Sequence, residues 1–149
     1  MADDLQGANA AAVRMLSATL RAVDFLNNLK VNEVDQLISV MRKRNYPAGA
    51  VVIKQGDKGS EFFIVAAGKL SVWVKKAFRN PVQVATSVPG KYFGEMALVS
   101  NNPRMATIKT EMPTELYVLN KADFDRILMS NPAIAASIRN VILQRKASN

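Results

Sequence analysis

The chain has 149 residues, 49% of them hydrophobic and 21% charged, and carries a formal net charge of +8 with no cysteine and no histidine. This length fits one domain, able to bury about 70% of its unfolded surface. The missing His and Cys exclude a Ser-His-Asp triad, a thiol nucleophile and the usual zinc or non-haem iron site, so no catalytic residue and no metal ligand is assigned.

No apolar run reaches the roughly 18 residues that a membrane-spanning helix needs. The N-terminus, MADDLQGANAAAV, has acids where a secretory signal has a basic start. A cysteine-free chain suits a reducing compartment, and the expected location is cytoplasmic or the cytoplasmic face of a membrane. Basic residues cluster as Arg42-Lys43-Arg44, as Lys75-Lys76 with Arg79, and as Arg139, Arg145 and Lys146. They suit either an anionic partner or a solvated surface.

Residues 1–9 are polar and expected to be disordered. From Ala10 to about Leu26, Leu16, Leu20, Val23 and Leu26 fall at helical spacing. Asn32 is expected to cap a second helix bearing Val34, Leu37, Ile38 and Met41 and ending near Arg42-Lys43-Arg44, where positive charge complements the dipole. Pro47 breaks the chain at Tyr46-Pro47-Ala48-Gly49.

From Ala50 the period changes to that of strands. Val51-Val52-Ile53, Glu61–Val65, Leu70–Val74, Val82–Val88, Ala106–Thr110 and the run around Leu116 and Val118 are β-branched or alternating and punctuated by glycine. Such spacing predicts an antiparallel jelly roll, interrupted by a short helix near residues 95–100. Asn120 caps a helix with Phe124, Ile127 and Leu128 on one face, and Asn131-Pro132 opens a last helix with the stripe Ile134, Ile138, Val141, Ile142. The predicted class is α+β, mainly β: N-terminal helices, a roll over about 46–120 and two C-terminal helices over about 121–146.

Within this frame the stretch YFGEMALVSNNPRMATIKT, Tyr92 to Thr110, carries the chemistry. Gly94 lets backbone approach a ligand. The helix start after it offers unpaired N–H groups to an anion. Arg104 adds a fork for phosphate. Glu95 repels phosphate, and makes sense only where the ligand also donates a hydroxyl. The stretch therefore asks for a small ligand with a phosphate and a sugar hydroxyl close together. Gly56-Asp57-Lys58-Gly59 has the GxxG form of an RNA-binding loop but, between strands, reads as a hairpin turn.

The order Gly56-Asp57-x-Gly59, Gly68, Phe93-Gly94-Glu95-Met96-Ala97-Leu98 and Pro103-Arg104-x-Ala106-Thr107 resembles the cyclic nucleotide-binding domain. That family includes regulatory subunits of cAMP-dependent protein kinase, cGMP-dependent kinase, the bacterial catabolite activator protein and cyclic-nucleotide-gated channels. The resemblance spans roughly residues 30–146 and assigns 10–149 to one such domain. It implies that Arg104 pairs with the cyclic phosphate, with backbone N–H groups of Gly94, Met96, Ala97 and Ala106 around it. It places Glu95 on the ribose 2′-OH. The base is expected near Val74, Val84 and Met105, with Arg145 as a lid residue from the last helix. No cofactor is implied; the ligand is cAMP or cGMP. Met105 stands where cGMP-dependent kinases commonly have threonine, which favours cAMP.

The implied function is a non-catalytic sensor acting on an attached or associated effector, such as a channel or kinase. The N-terminal helices could serve a homo-oligomer. No DNA-binding domain is expected in this chain, which reads as a segment of a larger protein or a stand-alone sensor. The alternatives are a basic nucleic-acid- or protein-interaction module, or a domain of this fold that binds another nucleoside or none.

Overall fold

The computed structural model describes the backbone of residues 10–148 and the side chains of residues 10–143. The expectation for residues 1–9 and the side chain of Arg145 lie outside the described residues. Helices α1 (Ala10–Ala22) and α2 (Val31–Ser39) precede strands β1 (Arg42–Tyr46), β2 (Val51–Ile53), β3 (Glu61–Ala67), β4 (Leu70–Val74), β5 (Val82–Ser87) and β6 (Tyr92–Phe93). A short 3-10 helix (Glu95–Leu98), strands β7 (Thr107–Thr110) and β8 (Thr114–Asn120), and helices α3 (Lys121–Ser130) and α4 (Pro132–Ser148) complete the order.

The strands form two four-stranded antiparallel sheets, ordered β1-β8-β3-β6 and β2-β7-β4-β5. This is the jelly roll with flanking helices that the spacing predicts. The central strands of the first sheet are buried on both faces, which explains the continuous apolar run Phe62–Val65 where alternation would mark a half-exposed strand. Phe62 and Ile64 of β3, with Tyr117 and Leu119 of β8, face a core shared with the helices. Phe63 and Val65, with Leu116 and Val118, face the interior of the roll, together with Ile53, Leu70, Phe93 and Ile108. Phe63 stacks on Phe93 with ring centroids 5.0 Å apart, which fixes the strand that leads into the 3-10 helix.

The helical ends differ from the sequence expectation in three places. The first helix stops at Ala22; Val23 is extended, and a 3-10 turn over Asp24–Leu26 follows. That turn buries Phe25 and Leu26 in the core that receives Ile134 and Ile138 of α4. The second helix is capped at Lys30, whose N–H donates to Glu33 Oε1 at 2.8 Å, not at Asn32. It also ends before the arginines. Arg42–Arg44 lie in β1, paired antiparallel with Val118–Leu116, so the basic run answers a strand register and not a helix dipole. The C-terminal helix starts are as read: Asn120 Oδ1 accepts the Ala122 N–H at 2.7 Å, and Asn131 O accepts that of Ala135 at 3.1 Å. Among the described residues no helix is long and apolar enough to cross a membrane.

Candidate functional site

Gly94 is the entry to the site. It sits in the left-handed region, φ 80°, at the N-cap of the 3-10 helix, and a Cβ there would lie 2.9 Å from Arg104 Nη1 and 3.0 Å from Glu61 O. Both the conformation and the crowding require glycine. The helix has only four residues, Glu95–Leu98. Its dipole is therefore small, and what it offers an anion is individual N–H groups. One of these is already engaged, because Ala97 N–H donates to Gly94 O at 3.1 Å. The Ala106 N–H makes no hydrogen bond among the described residues.

Arg104 is held from three directions. Its N–H donates to Asp57 O at 2.7 Å, and its carbonyl accepts the Gly56 N–H at 2.8 Å, so the turn between β2 and β3 clamps its backbone. An isolated bridge between Lys58 and Pro103 continues that pairing. The guanidinium lies over Gly59, where any Cβ would overlap Nε, Cζ and Nη2. Nη2 donates to Glu61 O at 2.7 Å and Nη1 to Gly94 O at a long 3.4 Å. Burial pushes the guanidinium below its ordinary value, and the Glu61 carboxylate pulls it back up. An arginine so placed still keeps its proton at neutral pH. The Glu61 carboxylate itself is committed to Arg44, with Arg44 Nη2 donating to Oε2 at 2.7 Å and Nη1 to Oε1 at 3.1 Å.

These groups surround a cavity of about 330 Å³. Gly94, Glu95, Met96, Ala97, Arg104, Met105 and Ala106 all border it, so seven residues expected from the sequence meet at one place. Glu95 makes no hydrogen bond or ion pair among the described residues, which leaves its carboxylate available. Met105 stands on the rim, 85% exposed. The volume is at the small end of ligand sites, and a few polar groups converge on an apolar wall, as such sites require.

That wall is not the one expected. Ile53 and Ile108, paired across β2 and β7, line the cavity, whereas Val74 and Val84 do not. Val84 is 57% exposed. Val72 packs on the interior and pairs with Ala85, so the neighbouring Val84 points off that face, and beyond it the register of β4 and β5 shifts. Trp73 then pairs with Gln83 and Val74 with Val82, so Val84 is the extra residue of a bulge. A strict alternation over Val82, Val84 and Thr86 therefore fails. The sequence reading also missed the work of the β2–β3 turn. Gly56, Asp57 and Gly59 were visible as a hairpin signal, but only the fold brings that hairpin onto Arg104.

The family model for the cyclic nucleotide-binding domain matches residues 43–131. A cyclic nucleotide-gated potassium channel of Mesorhizobium japonicum is 36% identical over 127 residues, covering 85% of this chain and 34% of the channel. A cAMP-dependent protein kinase regulatory subunit of Blastocladiella emersonii is 36% identical over 104 residues, covering 70% of this chain and 26% of the subunit. The chain thus spans about a third or less of the curated relatives it matches. Among solved structures, the regulatory domain of Toxoplasma gondii PKA, co-crystallised with cAMP, superposes with a TM-score of 0.69 at 28% identity, over 80% of this chain and 45% of that one. With the family model matched over more than half its length, the chain belongs to the cyclic nucleotide-binding domain family.

Proposed function

We propose that the chain is a non-catalytic sensor that binds cAMP in preference to cGMP and passes the event to an effector through its C-terminal helices. The observation that supports this most is the clamped Arg104 beside a free Glu95 carboxylate at the mouth of one cavity. A cyclic phosphate carries one negative charge, which one arginine and a few backbone N–H groups satisfy without a metal. In this reading Arg104 and the N–H groups of Gly94, Met96 and Ala106 receive the phosphate. Ala97 joins after exchanging its bond to Gly94 O. Glu95 accepts the ribose 2′-OH.

Selectivity is assigned to the rim. Met105 offers no partner to a guanine amino group, and a related kinase regulatory domain was co-crystallised with cAMP. The base is proposed to lie over Ile53 and Ile108, towards Val74, with Arg145 on α4 as its lid. Binding would draw the 3-10 helix inward and shift the populations of α3 and α4, by no more than the ligand's preference for the closed arrangement.

The proposed effector is a channel or kinase element, as the relatives' names suggest. The proposed location is cytoplasmic, with α1 and α2 as contact surfaces for it or for a second copy. Calorimetric titration with cAMP and cGMP tests the reading. Saturable cAMP binding tighter than that of cGMP is expected, and no binding of either at millimolar concentration would defeat it.

A further inference from the structure

The base of the β4–β5 hairpin joins the core through Leu70, but its outer part, beyond Val74, adds nothing to that core and does not line the nucleotide cavity. All residues from Lys75 to Thr86 are exposed. The stretch from Lys69 to Gly94 contains Lys69, Lys75, Lys76, Arg79 and Lys91 and no carboxylate at all, in a chain whose net charge is +8. Among the described residues Lys75, Lys76 and Arg79 form no ion pair. The exposed arm thus carries three cations with no carboxylate near them in sequence.

The tip of that arm is aromatic. Arg79 N–H donates to Lys76 O at 3.1 Å, closing a four-residue turn. Its third position holds Phe78, with φ 62° and a relative exposure of 104%. Among the described residues it is the only non-glycine with positive φ. Turn chemistry favours glycine or asparagine at such a position, and neither packing nor backbone geometry explains a bulky ring there. A strained residue that serves no internal contact points to a function outside the fold. Val82 and Val84, 60% and 57% exposed, extend the apolar surface along β5. At the foot of the arm Lys54, Lys75 and Lys109 surround Trp73 in a concavity of about 420 Å³. Trp73 is fixed there by its Nε1–H to Ser71 Oγ, 2.8 Å, with Lys109 Nζ 5.3 Å from its ring centroid.

We propose that this hairpin docks the domain on an anionic lipid bilayer, with Phe78 entering the headgroup region and Lys75, Lys76 and Arg79 facing the lipid charge. The shape favours a bilayer over a protein. The apex is convex, its cations are long and unanchored, and they ring one exposed aromatic without a fixed pattern that a folded partner would read. A fluid, planar, negatively charged surface accommodates such an apex, and the combination of apolar insertion with basic side chains is how peripheral elements hold to membranes.

The test is sedimentation of the purified chain with vesicles of phosphatidylcholine alone or mixed with phosphatidylserine, at low and physiological salt. Binding to the mixed vesicles only, weakening as salt rises, is expected. The triple variant Lys75→Gln/Lys76→Gln/Arg79→Gln should lose binding by on the order of 100-fold, and Phe78→Ser by severalfold. Removing equal charge elsewhere, as Arg14→Gln/Arg21→Gln/Arg139→Gln, should cost no more than a few-fold. Unchanged cAMP affinity in every variant would show that each is folded; should no cyclic nucleotide bind, thermal unfolding serves instead. Equal losses from the two triple variants would mean net charge alone is at work and overturn the proposal. So would binding to neutral vesicles, absence of vesicle binding, or capture of an acidic polypeptide through the same residues without vesicle binding.

Discussion

Gly59 and Arg104 occupy one space: the guanidinium of Arg104 lies where the side chain of any residue but glycine at position 59 would begin. Their separation in sequence hides this. The glycine is not there for its backbone conformation, since it is not among the glycines with positive φ. It is there because the proposed phosphate ligand needs a floor without a Cβ.

Gly59→Ala should therefore act on affinity more than on stability. The displaced atoms belong to a flexible side chain, so the fold can yield by moving Arg104. We expect cAMP affinity to fall at least about tenfold, or ~1.4 kcal/mol, with the unfolding midpoint nearly unchanged. The loss should be non-additive with Arg104→Ala, because both act through one guanidinium. Additive losses would show that position 59 acts by another route.

Glu95 makes a prediction about the sugar. If its carboxylate accepts the 2′-OH, wild type should prefer cAMP over its 2′-deoxy analogue by about 10- to 100-fold, the scale of a hydrogen bond to a charged group. In Glu95→Ala that preference should collapse towards unity, because neither ligand then has the partner. Competition titration with the two ligands reads this directly. A variant that keeps the wild-type ratio would remove Glu95 from the ribose.

Tyr92 precedes the same stretch and gives a pH dependence. Burial, then the Glu95 and Asp24 carboxylates, push its hydroxyl above the ordinary tyrosine value. A raised value in the folded state means that stability is fully present below the ordinary value, near pH ~10, and is lost as pH rises through the folded one. The unfolding midpoint of wild type should thus fall more steeply than that of Tyr92→Phe above about pH 10. Parallel curves for the two proteins would show that the Tyr92 ionisation is not linked to folding.

Much of this was legible beforehand for physical reasons that differ by element. The strands of the roll announced themselves by β-branched runs between glycines, and the doubly buried β3 by its unbroken Phe62–Val65. Gly94, Glu95, Arg104 and Ala106 were legible because they are close in sequence and the 3-10 helix is local. What escaped depends on contacts distant in sequence. β1 was hidden because Arg42-Lys43-Arg44 has no apolar alternation, and its strand state comes from pairing with β8. The bulge at Val84 left no mark in a run of valines. The cavity wall of Ile53 and Ile108, and the hold of the β2–β3 turn on Arg104, arise only when β2 meets β7.

The central claim is that Arg104 receives the phosphate of a cyclic nucleotide. Calorimetry of cAMP binding to wild type and Arg104→Ala, with thermal unfolding of both, tests it most directly. Truncating one partner of a desolvated charge pair costs about 2 kcal/mol or more, so affinity should drop by at least about 30-fold. The unfolding midpoint without ligand should shift little, since the freed carbonyls of Glu61 and Gly94 lie beside an open cavity. Equal cAMP affinity in the two proteins would contradict the account.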